Sequence, residues 1–236
     1  MKNNNLLNKK RDIPYIVALA AFAGFAVLII LLSCADVRVA PNGGKIGLGK
    51  MNITVSYALG YGETWYKISK ILGYVVLAAA VFNVAVTVWQ YFKRKKLIAV
   101  DREFLCLCGL YAAVAVVYVA FELFPVNFRP TSSGNNLEAS FPSSHALLAL
   151  TVCGSSAIVA FRKIGSRPWR IAAITAESVL AVALVASRTL SGVHWITDVI
   201  GSVILSVALV SCFVGGLCGI DADEKVRNKQ NVRSDE

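Results

Sequence analysis

The sequence predicts an all-α fold: a polytopic membrane helical bundle of about six transmembrane helices, in a single domain over residues 1–236. Three observations predict it. Of the 236 residues, 56% are hydrophobic and only 16% are charged, less charge than a soluble domain carries. Mean hydropathy is +0.62. Apolar runs of roughly 18 to 25 residues recur along the chain, the length a helix needs to cross a bilayer.

The spans read, in order, as about Ile13–Cys34, Ile68–Tyr91, Phe104–Phe121, His145–Phe161, Ile171–Ala186 and Ile196–Cys218. The first also admits a signal-peptide reading, because "NKKR" precedes it and "LLSC" closes it. Its apolar stretch of about 20 residues is long for a signal core, so it is read as a span.

The net charge is +10, with 24 Lys and Arg. Basic residues cluster at Lys2, Lys9, Lys10 and Arg11; at Lys93, Arg94, Lys95, Lys96 and Arg102; at Arg162, Lys163, Arg167 and Arg170; and at Lys225, Arg227, Lys229 and Arg233. The clusters alternate with the spans, so all fall on one face of the membrane. The positive-inside rule makes that face cytoplasmic. Residues 1–12 and 221–236 are then cytoplasmic tails, the second expected to be disordered. A nucleic-acid partner would need a basic soluble module interleaved with aromatics, and the sequence has none. Cysteines at 34, 106, 108, 153, 212 and 218 lie in or beside apolar spans without zinc-ligand spacing, and read as small apolar packing residues.

With both ends inside, the outer loops are about 35–67, 122–144 and 187–195. The two histidines of the chain, His145 and His194, both fall at this outer mouth, with Arg129 and Arg188. His145 opens the fourth span just after "FPSS", a helix-start signal, and His194 stands just before the sixth. Both helices point their N-termini, with free N–H groups and the positive end of the dipole, at the mouth. That arrangement suits a phosphate, and two guanidinium groups would add forked donors.

In "SRTLSGVHWITD" (187–198), His194 and Asp198 are four apart. A sixth helix starting near Val193 would put them on one face. Asp198 would then accept from Nδ1–H of His194 and leave Nε2 free to attack phosphorus. His145 would supply a proton to the leaving oxygen. Arginines and backbone N–H groups can carry the transition-state charge, so neither a metal nor another cofactor is required.

These residues resemble the type 2 phosphatidic-acid phosphatase superfamily, membrane relatives of the vanadium haloperoxidases. The third family motif stands complete as Ser187, Arg188, His194 and Asp198. The second reads Pro142-Ser143-Ser144-His145, with Ser144 where glycine is expected. The first keeps Arg129-Pro130, but Glu122 replaces its lysine. The resemblance implies His194 as nucleophile, Asp198 as its orienting partner and His145 as general acid. It implies that Arg129, Arg188, Ser143 and the backbone of Ser144 hold the phosphate.

Several readings stay open. Glu122 either turns away to pair with Arg129 or a loop lysine, or weakens the site or tunes it to a substrate carrying its own cation, or marks a dead phosphatase. Ser143 serves as helix cap, phosphate ligand or both. Glu177, an intramembrane carboxylate, reads as structural, with a proton path as the alternative. Segment 35–67 reads as an interfacial flap over the mouth, and Trp65, Tyr66, Trp89, Trp169 and Trp195 as interface anchors. The expected function is hydrolysis of a lipid phosphate monoester or pyrophosphate outside the cytoplasm, the lipid being the partner. The alternatives are a lipid phosphotransferase, or a weak binding or transport protein if Glu122 disables turnover.

Overall fold

The computed structural model describes residues 2–40, 43–131 and 137–234, with side chains from residue 12 to residue 222 within these segments. The helices are α1 (Lys2–Cys34), α2 (Gly49–Leu59), α3 (Glu63–Arg94), α4 (Arg102–Leu123), α5 (Ser144–Lys163), α6 (Arg167–Leu190) and α7 (Ile196–Ser234). A two-residue hairpin, β1 (Arg38–Val39) and β2 (Lys45–Ile46), precedes α2. Six helices are long and apolar enough to cross a membrane: Asp12–Cys34, Glu63–Arg94, Arg102–Leu123, Ser144–Lys163, Arg167–Leu190 and Ile196–Ala222. The chain is an all-α integral-membrane bundle.

Three boundaries depart from the expected ones. The fifth span is not the short Ile171–Ala186. It starts with a proline in its first turn, where the missing N–H costs nothing. It runs through Ser187 and Arg188 to Leu190, because nothing breaks it before Ser191 and Gly192. Gly192 has φ 68°, a left-handed turn that favours glycine. Residues 187–190 are therefore helix, not outer loop. The sixth span begins at Ile196 as expected, so the helix does not reach back to Val193; it continues to Ser234, so residues 221–234 of the tail expected to be disordered are helical. The stretch 1–12 likewise belongs to α1 from Lys2 onward. The side chains of Lys2, Lys9, Lys10, Arg11, Lys225, Arg227, Lys229 and Arg233 lie outside the described residues.

Helix α5 is the central element, packed against α3, α4, α6 and α7. Most of its buried residues are small, namely Ala146, Ala149, Thr151, Cys153, Ser155 and Ser156, which lets neighbouring backbones approach. Thr151 and Ser155 donate to carbonyls one turn back in their own helix, at 2.6 Å each. Helix α1 runs antiparallel to α7: Gly24 faces Ile204, and Gly215 faces the Tyr15 ring. One apolar cluster joins Phe25, Leu107, Phe141, Leu147, Leu205 and Phe213. A second joins Val76, Ala149, Val152 and Leu184. Large apolar side chains such as Leu19, Phe82 and Val182 point outward, as a lipid-facing surface requires. All six cysteines are free thiols.

The two ends of the bundle differ. At one end Arg94 pairs with Asp101 at 2.7 Å, Lys163 with Glu103 at 3.0 Å, and Arg162 with Asp221 at 2.7 Å. The Arg94 guanidinium holds the Asp101 carboxyl below its ordinary range. At the other end the hairpin and α2 brace the start of α7. Asn52 donates to the Gly47 carbonyl and to Thr197 Oγ1, both at 2.9 Å. Trp195 packs with Ala40 and Ile46. Within the expected flap segment 35–67, the hairpin strands and α2 are thus anchored to the start of α7. Trp195, 2% exposed, is a core residue and not an interface anchor: its indole N–H donates to the Phe128 carbonyl at 2.6 Å.

Candidate active site

The N-termini of α3, α5 and α7 and the C-termini of α4 and α6 meet at the braced end. Asp198 sits in the first turn of α7. Its Oδ2 accepts the backbone N–H of Trp195 at 2.9 Å, a carboxylate reaching back to the residue before the helix. His194 precedes the helix, so the pair does not share a helical face. The turn nevertheless brings His194 Nδ1 within 3.4 Å of Asp198 Oδ2. A nearer acceptor for Nδ1–H is the Ser140 carbonyl, at 3.1 Å. Nδ1–H thus faces two acceptors, the Ser140 carbonyl at 3.1 Å and the expected Asp198 carboxylate at 3.4 Å. The carboxylate is already engaged by Trp195 and, at 3.5 Å, by Asn127 Nδ2.

His194 Nε2 faces Arg188 Nη2 at 3.3 Å. Burial lowers the His194 pKa, Asp198 opposes that, and the charges of Arg188 and Arg129 reinforce it. Burial thus favours the neutral ring; with Nδ1–H on the Ser140 carbonyl, Nε2 is the acceptor that meets Arg188. Arg188 is only 1% exposed; its Nη1 donates to Ser69 Oγ at 3.2 Å. Its position in the last turn of α6 places the cation where the helix dipole favours it. Arg129 donates through Nε to the Ala139 carbonyl at 3.1 Å and pairs with Glu138 at 3.3 Å.

His145 is the second residue of α5, and Ser143 stands at its N-cap position without a side-chain cap bond. The segment before it is stapled to α7, because Ser202 Oγ donates to the Ser143 carbonyl at 2.9 Å. The Ser143 N–H donates to the Asp198 carbonyl at 3.2 Å. The buried side-chain polar atoms without a hydrogen-bond partner, among the described residues, are Ser140 Oγ, Ser143 Oγ, His145 Nδ1, Arg188 Nε and Glu177 Oε2. All but the last belong to this end of the bundle. Buried polar groups are normally satisfied, so four potential donors gathered here fit an acceptor-rich ligand.

A cavity of about 690 Å³ reaches Ser140 and His145 among them, with His194 and Arg129. Its polar end is lined by Lys70, Glu122, Arg129, Ser140, Ser144, His145 and His194. From there it descends between α3 (Tyr74, Leu77, Val81, Val84) and α4 (Phe121, Tyr118, Val114, Tyr111). Lys70 to Val84 spans about 20 Å along the helix, the scale of an acyl chain. Another cavity, of about 490 Å³, reaches Arg129 past Tyr61, Tyr66, Thr131 and Glu138.

The sequence did not reveal the contribution of α3. Tyr66, Ser69, Lys70 and Gly73 follow the i, i+3, i+4, i+7 spacing of one helical face. Gly73 is required there, since a Cβ would lie 2.8 Å from the His145 ring. The available signal was a lysine, a serine and a glycine at the start of an apolar span. Tyr66, read as an interface anchor, instead lies against Arg188, whose Cζ is 5.8 Å from the ring centroid. Asn127, also missed, accepts the Gly47 N–H at 2.9 Å. Glu122 does not pair with Arg129; it lines the cavity and makes no ion pair among the described residues. Glu177 is away from the cavity, against the Cys153 thiol.

Residues 121–215 match the model of the PAP2 superfamily. The PAP2 match encloses all three motifs, and the resemblance read from them holds. The fold agrees along most of the chain. A solved structure described as the first transmembrane PAP2 type phosphatidylglycerolphosphate phosphatase, from Bacillus subtilis, superposes with a TM-score of 0.60 at 18% identity, covering 89% of this chain and 96% of that one. No curated protein matches the chain.

Proposed function

We propose that the protein is an integral-membrane phosphatase, which hydrolyses a lipid phosphate monoester or pyrophosphate through a phosphohistidine at His194. The observation that carries this reading is the meeting of the oriented His194 imidazole with the unpartnered Ser140 Oγ and His145 Nδ1 at the head of an apolar cavity between two spans, with Arg188 against the His194 ring. The PAP2 match and fold support it.

In the first step His194 Nε2 attacks phosphorus, and the bond to the lipid oxygen breaks. His145 gives that oxygen a proton. Arg188, Arg129 and the free N–H groups at the start of α5 stabilise the charge on the equatorial oxygens. The imidazolium formed at His194 is balanced by Asp198 at 3.4 Å and by Nδ1–H donation to Ser140. In the second step a water, deprotonated by His145, attacks phosphorus and frees His194. Ser143 and Ser144 close the phosphate cradle. The cleft between α3 and α4 takes the apolar tail.

The site end is opposite the basic clusters of the 95–102 and 162–170 segments, so it faces away from the cytoplasm by the positive-inside rule. The test is phosphate release from a short-chain lipid phosphate by purified protein in detergent with EDTA. Wild type should turn over, and His194→Ala should lose several orders of magnitude of rate. Rapid quench with ³²P-labelled substrate should place label on His194. Wild-type rates in His194→Ala would refute the mechanism, and a tag placing residues 187–195 in the cytosol would refute the topology.

A further inference from the structure

The cavity described above has one more cation than the expected phosphate ligands supply. Lys70 lines it beside Glu122, Arg129, His145 and His194. A phosphate monoester carries close to two negative charges, and Glu122 on the facing helix adds another. The two arginines share their donors between the phosphate and protein partners. Arg188 is held by Ser69 and His194, and Arg129 by Ala139 and Glu138. Lys67, one turn away, is neutralised by Glu63 at 2.7 Å. Lys70 makes no ion pair among the described residues; its ammonium rests 5.0 Å above the Tyr66 ring. Side chains on a helix lean toward its N-terminus, which here is the mouth of the site. The neighbours of Lys70 on its face are site residues too: Ser69 binds Arg188, and Gly73 abuts His145.

We infer that Lys70 is a phosphate-binding residue, so that the cation absent from position 122 on α4 is provided across the cleft from α3. This rests on the phosphate-site reading above. The ammonium moves from the Tyr66 ring onto a non-bridging phosphate oxygen and offsets Glu122, whose carboxylate is left to the donor groups of the lipid head.

The test uses Lys70→Met, which keeps the apolar stem, together with Lys70→Arg, Lys70→Met/Glu122→Lys and the control Lys67→Met. Each purified protein is assayed for KM and kcat on a short-chain lipid phosphate, and for the Kd of inorganic orthovanadate by calorimetry. Lys70→Met should raise KM and the vanadate Kd about tenfold, the effect of one charge-assisted hydrogen bond. Lys70→Arg and the Glu122→Lys double variant should recover most of the loss, and Lys67→Met should match wild type. An unchanged vanadate Kd in Lys70→Met overturns the inference, and leaves Lys70 as a snorkelling anchor. If wild type releases no phosphate while Lys70→Met weakens vanadate, the phosphatase reading fails and the Lys70 assignment stands.

Discussion

At the scale of single residues, His194 and Gly73 carry consequences that can be measured. His194 is buried, and its pKa lies below the ordinary 6.5. Between 6.5 and that lowered value the unfolded chain binds a proton that the folded one refuses. Stability is therefore fully present above about pH 6.5 and falls as the pH drops through this window. Thermal unfolding in detergent should show that decline, and His194→Gln should flatten it. The same neutrality sets the acid limb of kcat/KM below pH 6.5. Asp198→Asn removes the charge that favours the imidazolium, and should move the limb lower still. Gly73 sets the position of His145 by contact. The Cβ of Gly73→Ala would need the ring to shift from 2.8 Å, and a misplacement of that order costs about 10²-fold in rate. The expected outcome is a large fall in kcat with little change in melting temperature.

At the scale of elements, the N-terminus of α7 is held from three directions: by α2 through Asn52, by the 124–143 loop through Asn127, and by α5 through Ser202. Asn127→Ala leaves the Gly47 N–H unpaired and removes a donor from Asp198. It should cost about 1–3 kcal/mol of stability and lower kcat as Asp198 loosens, both read from melting and steady-state curves. The spans, and the motif residues that meet at the mouth, were legible in the sequence, because hydropathy and the spacing of His194 and Asp198 are local signals. The start of the sixth span at Ile196 was legible too; what hydropathy does not give is that His194 stands two residues outside the helix, so that a turn, and not a shared face, brings it to Asp198. The role of α3 was illegible because Ser69 and Gly73 acquire meaning only when α6 and α5 pack against them. Trp195 misled for the same reason: a tryptophan near a span end reads as an anchor until a hairpin 150 residues earlier is seen to cover it.

At the scale of the whole molecule, the two ends of the bundle divide the work. The far end is a surface ion network in which Arg162 bridges Glu103 on α4 and Asp221 on α7. Exposed pairs contribute about 0.2–1 kcal/mol each. Arg162→Ala should therefore lower the melting temperature by a few degrees, more in low salt than in high, and leave kcat unchanged. The near end holds the proposed chemistry, at the head of the cleft between α3 and α4. A ligand that arrives sideways through such a cleft is never dissolved in the bulk. Its collisions with the protein are set by how crowded it is in the sheet or micelle around it. Adding inert detergent at constant total substrate should thus slow the reaction by dilution within the surface, and the constant that matters is a mole fraction.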